Sequence, residues 1–347
     1  MPKKKPNPNN RFARPTLKDI ALETGFSVNT VSRALRNMPD VTPDTREEIQ
    51  RISHKLGYFN NSLASSLRLG RSNTLAVVIP DVSNLFYSIA MEEIERGARE
   101  VGYSTFLLNT SEDGQHEYAA LTTALQKNVD GIIFSPAQNS LDSVHLLQSS
   151  GTPFVLLGRY FENTKTDHVV GDDLDGGYKA TTYLIQKGHK NIVLLNGRSQ
   201  NNSSARLRRD GYCKALAEAN LPLQQDLLFE ISAKGDEAAS VLAPLLAKRS
   251  DITAIFAYSD LIAFEAIDGL SKLGYKVPED ISVVGFDHIQ AYLKTPFRLT
   301  SMDNSSPQLA RTALQILTQK IQQPDMPPQS TVLPISLFEG DSVRNIK

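Results

Sequence analysis

Early in the chain, apolar residues recur three and four positions apart, the spacing of one face of a helix. The stretch from residue 16 to 57 contains three such runs. Thr16, Ser27 and Thr42 stand before the runs, and these residue types cap helix N-termini. Gly25 follows the first run, where glycine permits a sharp turn. The pattern predicts three short helices packed around a small core.

The second predicted helix, Val28–Leu35, presents a mostly polar outer face. Val31, Ala34 and Leu35 point toward the predicted core, so the opposite side is free to contact a partner. Three short helices with a tight turn after the first match the helix-turn-helix geometry, whose second helix enters the major groove of DNA. We therefore predict an all-α helix-turn-helix headpiece over residues 15–59.

Base edges and phosphates call for different side chains on this face. A guanidinium matches guanine, a carboxamide matches adenine and an apolar group meets the thymine methyl, which suits Arg33, Asn29 and Val28 respectively. Hydroxyl groups more often contact phosphates, which fix the register on the duplex without reading sequence. The predicted DNA-contacting residues of the headpiece are Thr16, Ser27, Val28, Asn29, Thr30, Ser32 and Arg33.

The charge distribution supports a polyanionic partner for this segment alone. Residues 1–72 hold 13 Lys and Arg against 6 Asp and Glu, whereas the whole chain has a net charge of −1. A basic segment on an acidic body is typical of nucleic-acid binding. Residues 1–14, rich in Pro, Asn and Lys, are predicted to form a disordered basic tail.

Beyond residue 73, short apolar runs alternate with amphipathic helical stretches. Continuous apolar strands separated by helices are typical of parallel sheets covered on both faces, and the pattern repeats on both sides of about residue 172. We predict an α/β body of two doubly wound parallel-sheet subdomains. The predicted strands are Leu75–Ile79, Thr105–Leu108, Gly131–Phe134, Phe154–Leu157, Ile192–Leu195, Ala254–Ala257 and Ser282–Phe286.

Several classes of protein are disfavoured by the sequence. It has no run of 18 apolar residues and no apolar stretch behind its first lysines, so neither a membrane span nor a secretory signal is predicted. Cys213 is the only cysteine, which fits a reducing cytoplasm. The glycine-rich phosphate loops and the nucleophile motif Gly-x-Ser-x-Gly do not occur. We expect no enzyme, no cofactor and no metal site.

Three segments of the headpiece carry a family resemblance. Residues 16–21 (TLKDIA), 31–35 (VSRAL) and 56–58 (LGY) closely resemble the lactose/galactose repressor (LacI/GalR) family, and the resemblance continues to about residue 340. It implies a transcriptional repressor whose affinity for a pseudo-palindromic operator is controlled by a small-molecule effector. It also implies a homodimer, to which the helix predicted at Phe86–Val101 contributes.

The resemblance further implies a hinge helix and linker over residues 60–72. In the family this helix folds on operator DNA, and a leucine wedges into the minor groove. Leu67 stands at the wedge position, with Ala64 one turn earlier and Asn61 near the start of the helix. Asn60 replaces a proline that is usual in the family, so the start of this helix is less fixed here.

For the body, the resemblance implies a fold like that of periplasmic binding proteins, with an effector between the subdomains. Matched to the family motifs, Arg208 is the effector-binding arginine and Asp287 the carboxylate on the opposite wall, a pair suited to a polyhydroxylated ligand. Phe86, Arg159 and Ser259 complete the predicted effector site. Asp172–Asp173 and Gly188–Lys190 also match, and are interpreted as structural elements.

The resemblance also implies that the chain crosses between the subdomains three times. The predicted body covers residues 73–347, with a first subdomain at about 73–172 plus 302–330 and a second at about 173–301 plus 331–343.

The nature of the effector stays open at this point. A sugar or sugar derivative is the first hypothesis, and a nucleoside or purine, or a phosphoprotein co-effector, are alternatives. A sugar-binding transport receptor is a remote alternative, disfavoured by the headpiece. A DNA-binding repressor is expected in the cytoplasm, with no membrane partner.

Overall fold

The computed structural model describes residues 15–59, 70–198, 202–232, 237–293 and 297–347. The chain divides into two compact units, Met1–Gly70 and Arg71–Lys347. The headpiece, residues 15–59, lies in the first unit, and the second unit is called the body.

In the described residues of the headpiece the three predicted helices are present, Leu17–Thr24 (α1), Val28–Leu35 (α2) and Pro43–Leu56 (α3). The carboxylate of Asp19 accepts hydrogen bonds from the backbone N–H and the hydroxyl of Thr16, at 2.7 and 2.8 Å. The hydroxyl of Ser27 accepts from the N–H of Thr30 at 3.1 Å. These contacts satisfy N-terminal groups that a helix leaves without partners.

The core of the headpiece is small and is drawn from all three helices. Ile20, Val31, Ala34 and Ile49 have no exposed surface. Gly25 ends α1 in the left-handed conformation at φ 76°, which lets the chain turn directly into α2. The predicted helix boundaries are confirmed because each one depends on capping residues that lie next to it in the sequence.

The first sheet of the body has six strands, in the order β11-β5-β4-β3-β1-β2. All of its strand pairs are parallel. The strands are Thr74–Ile79 (β1), Ser104–Asn109 (β2), Gly131–Phe134 (β3), Phe154–Leu157 (β4), His168–Gly171 (β5) and Ser330–Leu333 (β11).

Helices cover both faces of this sheet. They are Leu85–Glu100 (α4), Gly114–Gln126 (α5), Asp142–Ser150 (α6) and, from late in the chain, Ser306–Gln322 (α11). Leu75 and Val77 of β1 pack with α4 and α11, whereas Ala76 and Val78 face α5 and α6. Successive side chains of a strand point to opposite faces, so a strand buried on both sides is continuously apolar.

The second sheet also has six strands, in the order β12-β10-β9-β8-β6-β7, and among its pairs only β10–β12 is antiparallel in the described residues. The strands are Ile192–Gly197 (β6), Leu228–Ile231 (β7), Ala254–Ala257 (β8), Ser282–Phe286 (β9), Thr300–Asp303 (β10) and Ser336–Phe338 (β12). The helices are Asp173–Gln186 (α7), Ser203–Glu218 (α8), Glu237–Leu246 (α9) and Asp260–Lys272 (α10).

Two predicted subdomain boundaries are wrong by a few residues. Met302 and Asp303 were placed in the first subdomain, but they belong to β10 and pair in the second sheet. Residues 331–343 were predicted to lie in the second subdomain. Instead Ser330–Leu333 pairs with β5 in the first sheet, so the last crossing follows Leu333.

The three crossings between the subdomains lie close together. A Cβ built on Gly171, just before the first crossing, would stand 2.0 Å from Oδ1 of Asn304, which lies in the second. It would also stand 3.0 Å from Cδ1 of Ile335, in the third crossing. A side chain at position 171 would therefore collide with the neighbouring crossings, and glycine permits the close approach.

No helix in the described part of the chain is long and apolar enough to cross a membrane.

Candidate functional site

Apart from Thr16, which caps α1, the predicted DNA-contacting residues of the headpiece lie on α2 or at its N-cap. Val28 and Asn29 are exposed, and Ser32 and Arg33 are half-buried on the side away from the core. The hydroxyls of Ser27 and Thr30 are 2.8 Å apart and hydrogen-bonded to each other. Thr16 is exposed and bonded to Asp19. Asn61, Ala64 and Leu67, and the departure at Asn60, lie outside the described residues.

Arg33 has a partner that the sequence did not indicate. Its Nη2 forms an ion pair with the carboxylate of Asp40, in the loop between α2 and α3. The pair is partly exposed, with 39% of the Arg33 side chain and 48% of the Asp40 side chain accessible. The hydrogen bond from Arg33 lowers the pKa of Asp40, because the guanidinium stabilises the charged carboxylate.

In the body, Arg208 lies on α8 and is almost fully buried. Its Nε donates to Asp173 at 2.7 Å, and its Nη1 donates to the backbone carbonyl of Tyr258. Its Nη2 lies 3.6 Å from a carboxylate oxygen of Asp287. The guanidinium also stacks over two rings, 3.5 Å from the centroid of Phe286 and 4.4 Å from that of Tyr258. The predicted Arg208–Asp287 pair is therefore present, and Asp287 is the loosest of the polar partners.

Asp287 directly follows β9 and has an unusual backbone conformation, with φ at 94°. Such a conformation is costly for a residue with a side chain and often marks a functional position. Burial raises the pKa of Asp287 to about 6, although Arg208 and a hydrogen bond from Asn304 act in the opposite direction. Asp287 thus titrates close to neutral pH.

On the wall formed by the first subdomain, Arg159 and Phe86 lie near each other. Arg159 is buried and makes a two-pronged pair with Glu112, at 2.8 and 2.9 Å. Phe86 is buried, packs edge-on against Tyr87 at 5.1 Å between centroids, and lies beside Gly158. Arg159 acts electrostatically on Asp287, and Phe86 and Asp287 line a common cavity of about 70 Å³.

Ser259 is also buried, but it has a local structural role. Its hydroxyl caps α10 by accepting a hydrogen bond from the N–H of Ile262 at 3.4 Å. The next residue, Asp260, accepts from the Ser301 hydroxyl at 2.6 Å and from the Ile289 N–H at 2.8 Å. This carboxylate fixes the chain that follows Asp287.

Three contributors to the site were missed from the sequence. Asp173 was interpreted as a structural element, yet it is the closest carboxylate to Arg208. Tyr258 and Asn304 are not among the predicted site residues. Tyr258 carried a usable signal, because it stands at the carboxyl end of a parallel strand, where ligands of such sheets bind.

Four contacts join the two subdomains along one side of the cleft. The Ser204 hydroxyl donates to the carbonyl of Gly158 at 3.0 Å, and the Ser203 N–H donates to Gln138 at 2.8 Å. The Tyr160 N–H reaches the Ser203 hydroxyl at 3.4 Å. Arg206 pairs with Glu162 at 2.6 Å. These contacts, called the clasp, attach the start of α8 to the loops that follow β3 and β4.

No cluster of three or more metal-ligating side chains was found in the part of the chain that the structure describes.

Comparison with known proteins assigns both units. Residues 16–61 match the family of bacterial regulatory proteins of the lacI type, and residues 72–340 match the periplasmic binding proteins and sugar-binding domain of the LacI family. The chain belongs to the LacI family. It is a DNA-binding transcriptional repressor with an effector-binding body, and because LacI-family regulators are not enzymes, no catalytic reaction is assigned to it.

Individual LacI-family relatives cover nearly the whole chain. The HTH-type transcriptional repressor PurR of Actinobacillus pleuropneumoniae serotype 3 (strain JL03) is 30% identical over 95% of this chain and 99% of its own length. A solved complex of the transcriptional regulator CelR with cellobiose is 27% identical, covering 95% of this chain and all of that one, with a TM-score of 0.72. The lac repressor dimer bound to operator and an anti-inducer shares the fold, with a TM-score of 0.80, 24% identity and coverage of 95% and 99%.

Proposed function

We propose that the effector of this LacI-family repressor is a sugar or sugar derivative bound between the subdomains against Arg208 and Asp287. The observation that carries the proposal is the 3.6 Å separation between Arg208 Nη2 and Asp287. Adjacent hydroxyls can accept from the guanidinium and donate to the carboxylate, which exchanges a loose contact for shorter hydrogen bonds. Phe86 then offers an apolar face to a sugar ring. Arg159 supports one wall of the site through its ion pair with Glu112. Ser259 supports the other wall by capping α10.

Titration calorimetry of the full chain with pentoses, hexoses, disaccharides, sugar phosphates and purine nucleosides tests this proposal. Once a ligand is found, Arg208→Lys can be tested against it. This variant keeps the positive charge beside Asp173 but loses the paired donors of the guanidinium, and should weaken ligand binding at least tenfold. Asp287→Asn should have a similar effect. The controls are Arg209→Ala and Asp210→Asn, which alter neighbouring residues with half-exposed side chains. Unchanged affinity in both cleft variants would show that the ligand binds elsewhere.

A purine or nucleoside is the second candidate, favoured by the near full-length similarity to a PurR repressor. Buried aromatic rings and amide groups suit a flat heterocycle as well as a sugar. The same titration separates the two hypotheses, because a purine ligand should bind while every sugar in the panel fails to.

For DNA, we propose a homodimer on a pseudo-palindromic operator, with one α2 in each half-site and Leu67 wedged at the centre. The lac repressor dimer solved on its operator shares this fold. Leu67→Ala should reduce operator bending, measured by energy transfer between labelled duplex ends. An unchanged bend angle would remove the wedge from the proposal. Such a repressor acts on chromosomal DNA, so we place it in the cytoplasm.

A further inference from the structure

Asp40 is placed to govern how Arg33 uses its hydrogen-bond donors. We propose that Asp40 is a specificity-determining positioning residue, which holds the Arg33 guanidinium for guanine and keeps it from phosphates. The inference rests on the proposed entry of α2 into the major groove and on the base-reading role predicted for Arg33.

The backbone around Asp40 is fixed by contacts from α3. Arg46 donates from Nη2 to the carbonyls of Met38 and Val41, at 2.8 and 3.0 Å, and these residues flank Asp40 on both sides. The Met38 N–H in turn donates to the carbonyl of Arg33 at 3.1 Å. The loop between α2 and α3 therefore has little freedom, and the carboxylate stands at a set position relative to α2.

The remaining donors of Arg33 are few and lie together. A guanidinium carries five N–H groups, one on Nε and two on each terminal nitrogen. Nε of Arg33 is buried and has no hydrogen-bond partner, and Nη2 is paired with Asp40. The donors left for a ligand are on Nη1 and the second hydrogen of Nη2, which form the parallel pair that guanine O6 and N7 accept.

The Asp40 carboxylate also changes how the bases and the phosphates of DNA compete for Arg33. A free arginine is attracted to any phosphate, and such contacts add affinity without sequence information. Asp40 offsets the charge of Arg33 and repels nearby phosphates, so non-specific contacts weaken. A guanine edge is uncharged, and its binding depends on the placement of the two donors. The contact with guanine is therefore weakened less by Asp40 than a contact with phosphate is. Because the ion pair is partly exposed, it contributes little to folding stability, and its removal should leave the headpiece folded.

The test uses the full chain and a site selected with it from random DNA. Binding to this site and to a scrambled duplex of equal length and composition is measured by fluorescence anisotropy at several salt concentrations. The specificity ratio is the Kd for the scrambled duplex divided by the Kd for the selected site. The variants are Asp40→Asn, Asp40→Glu, Arg33→Ala and the double variant Arg33→Ala/Asp40→Asn. Asp44→Asn, at an exposed carboxylate early in α3, controls for a change of net charge.

Asp40→Asn is expected to lower the specificity ratio about three- to tenfold, the effect of leaving one long side chain to be ordered at the interface. Affinity for the scrambled duplex should also fall more steeply with salt concentration, by the amount expected for about one additional phosphate contact. Asp40→Glu should restore most of the ratio, and Asp44→Asn should leave it unchanged. In the Arg33→Ala background, Asp40→Asn should leave the specificity ratio unchanged, because the relief of carboxylate repulsion then acts on both duplexes alike.

Two outcomes overturn the inference. One is an unchanged ratio in Asp40→Asn. The other is an equal change with and without Arg33, which would mean that Asp40 acts through general repulsion of DNA. The proposed recognition role is judged separately, because it fails if Arg33→Ala alone leaves the specificity ratio unchanged.

Discussion

Two arginines, Arg33 in the headpiece and Arg208 in the body, are the proposed ligand-binding residues of the two units, and their surroundings are opposite. Arg33 is partly exposed and has one carboxylate partner. Arg208 is buried between two carboxylates, a backbone carbonyl and two aromatic rings. Arg33 is held by one carboxylate and keeps donors at its exposed edge for DNA, whereas Arg208 is surrounded by partners before its ligand arrives. The unit that meets a large polyanion has an arginine fixed on one side, and the unit that selects a small molecule has one fixed on several sides.

The largest expected difference is in folding stability. Arg208→Ala leaves Asp173 and Asp287 as buried charges without their cation, and should lower the free energy of unfolding by about 3–5 kcal/mol. Arg33→Ala removes an exposed pair and should cost at most about 1 kcal/mol. Urea unfolding of both variants measures the contrast. Similar losses in the two variants would contradict it.

The next effect is the pH dependence of the body. The pKa of Asp287, about 6, lies above the value near 3.9 of an unfolded aspartate, so the folded state binds the proton more tightly. Protonation therefore stabilises the fold below about pH 4, and this stabilisation is lost as pH rises through 6. The change is about 3 kcal/mol. Unfolding free energies of the wild type and Asp287→Asn from pH 4 to 7 should diverge by about this amount, and a constant difference would be inconsistent with the shift.

A smaller effect is expected in DNA recognition. Arg33→Ala should weaken binding to the selected site by about 1–3 kcal/mol and leave binding to scrambled DNA nearly unchanged. Arg36→Ala provides the control, because Arg36 lies on the same helix end and donates to the Ser32 carbonyl at 2.9 Å. Anisotropy titrations on both duplexes give the comparison. Equal losses on the two duplexes would make Arg33 a phosphate contact.

The smallest effect is expected at the clasp. Arg206→Ala removes the pair with Glu162, of which 34% and 55% of the side chains are exposed. Its loss should cost less than about 1 kcal/mol in stability. It should also speed effector release by severalfold, because one link between the subdomains is gone. Stopped-flow displacement of the effector measures this rate, with Arg209→Ala as the control. An unchanged release rate would mean that the clasp does not retain the ligand.

How well the sequence predicted the molecule depends on the range of the interactions. The headpiece helices were predicted to the residue because Thr16, Ser27 and Gly25 act on neighbours within a few positions. Strands β3, β4, β8 and β9 were predicted with the observed bounds because burial on both faces makes them uniformly apolar. Strands β5, β7, β10, β11 and β12 were missed. Several of them are edge strands or contain polar residues, so their composition alone does not distinguish them from loops.

The partners within the site were harder to predict than its principal residues. Family motifs indicated Arg208 and Asp287, but Asp173 lies 35 positions before Arg208 and meets it only because α7 and α8 pack together. Close packing requires glycine there, since a Cβ on Gly177 would stand 2.3 Å from the carbonyl oxygen of Arg208. Asp40 was overlooked because its pairing with Arg33 depends on the shape of a loop. No periodic pattern encodes that shape.

The late position of α11 has a consequence for how the chain is made. Leu309, Ala313 and Leu317 complete the core beside β1, more than 230 positions earlier, and β11 completes the first sheet. A ribosome delivers the N-terminal part first, so most of the first subdomain leaves the exit tunnel well before the residues that cover it. The part of its apolar face that α11 covers stays exposed until synthesis is nearly complete. Fragments that end before residue 306 should therefore aggregate or bind chaperones, whereas the headpiece can fold as soon as it emerges.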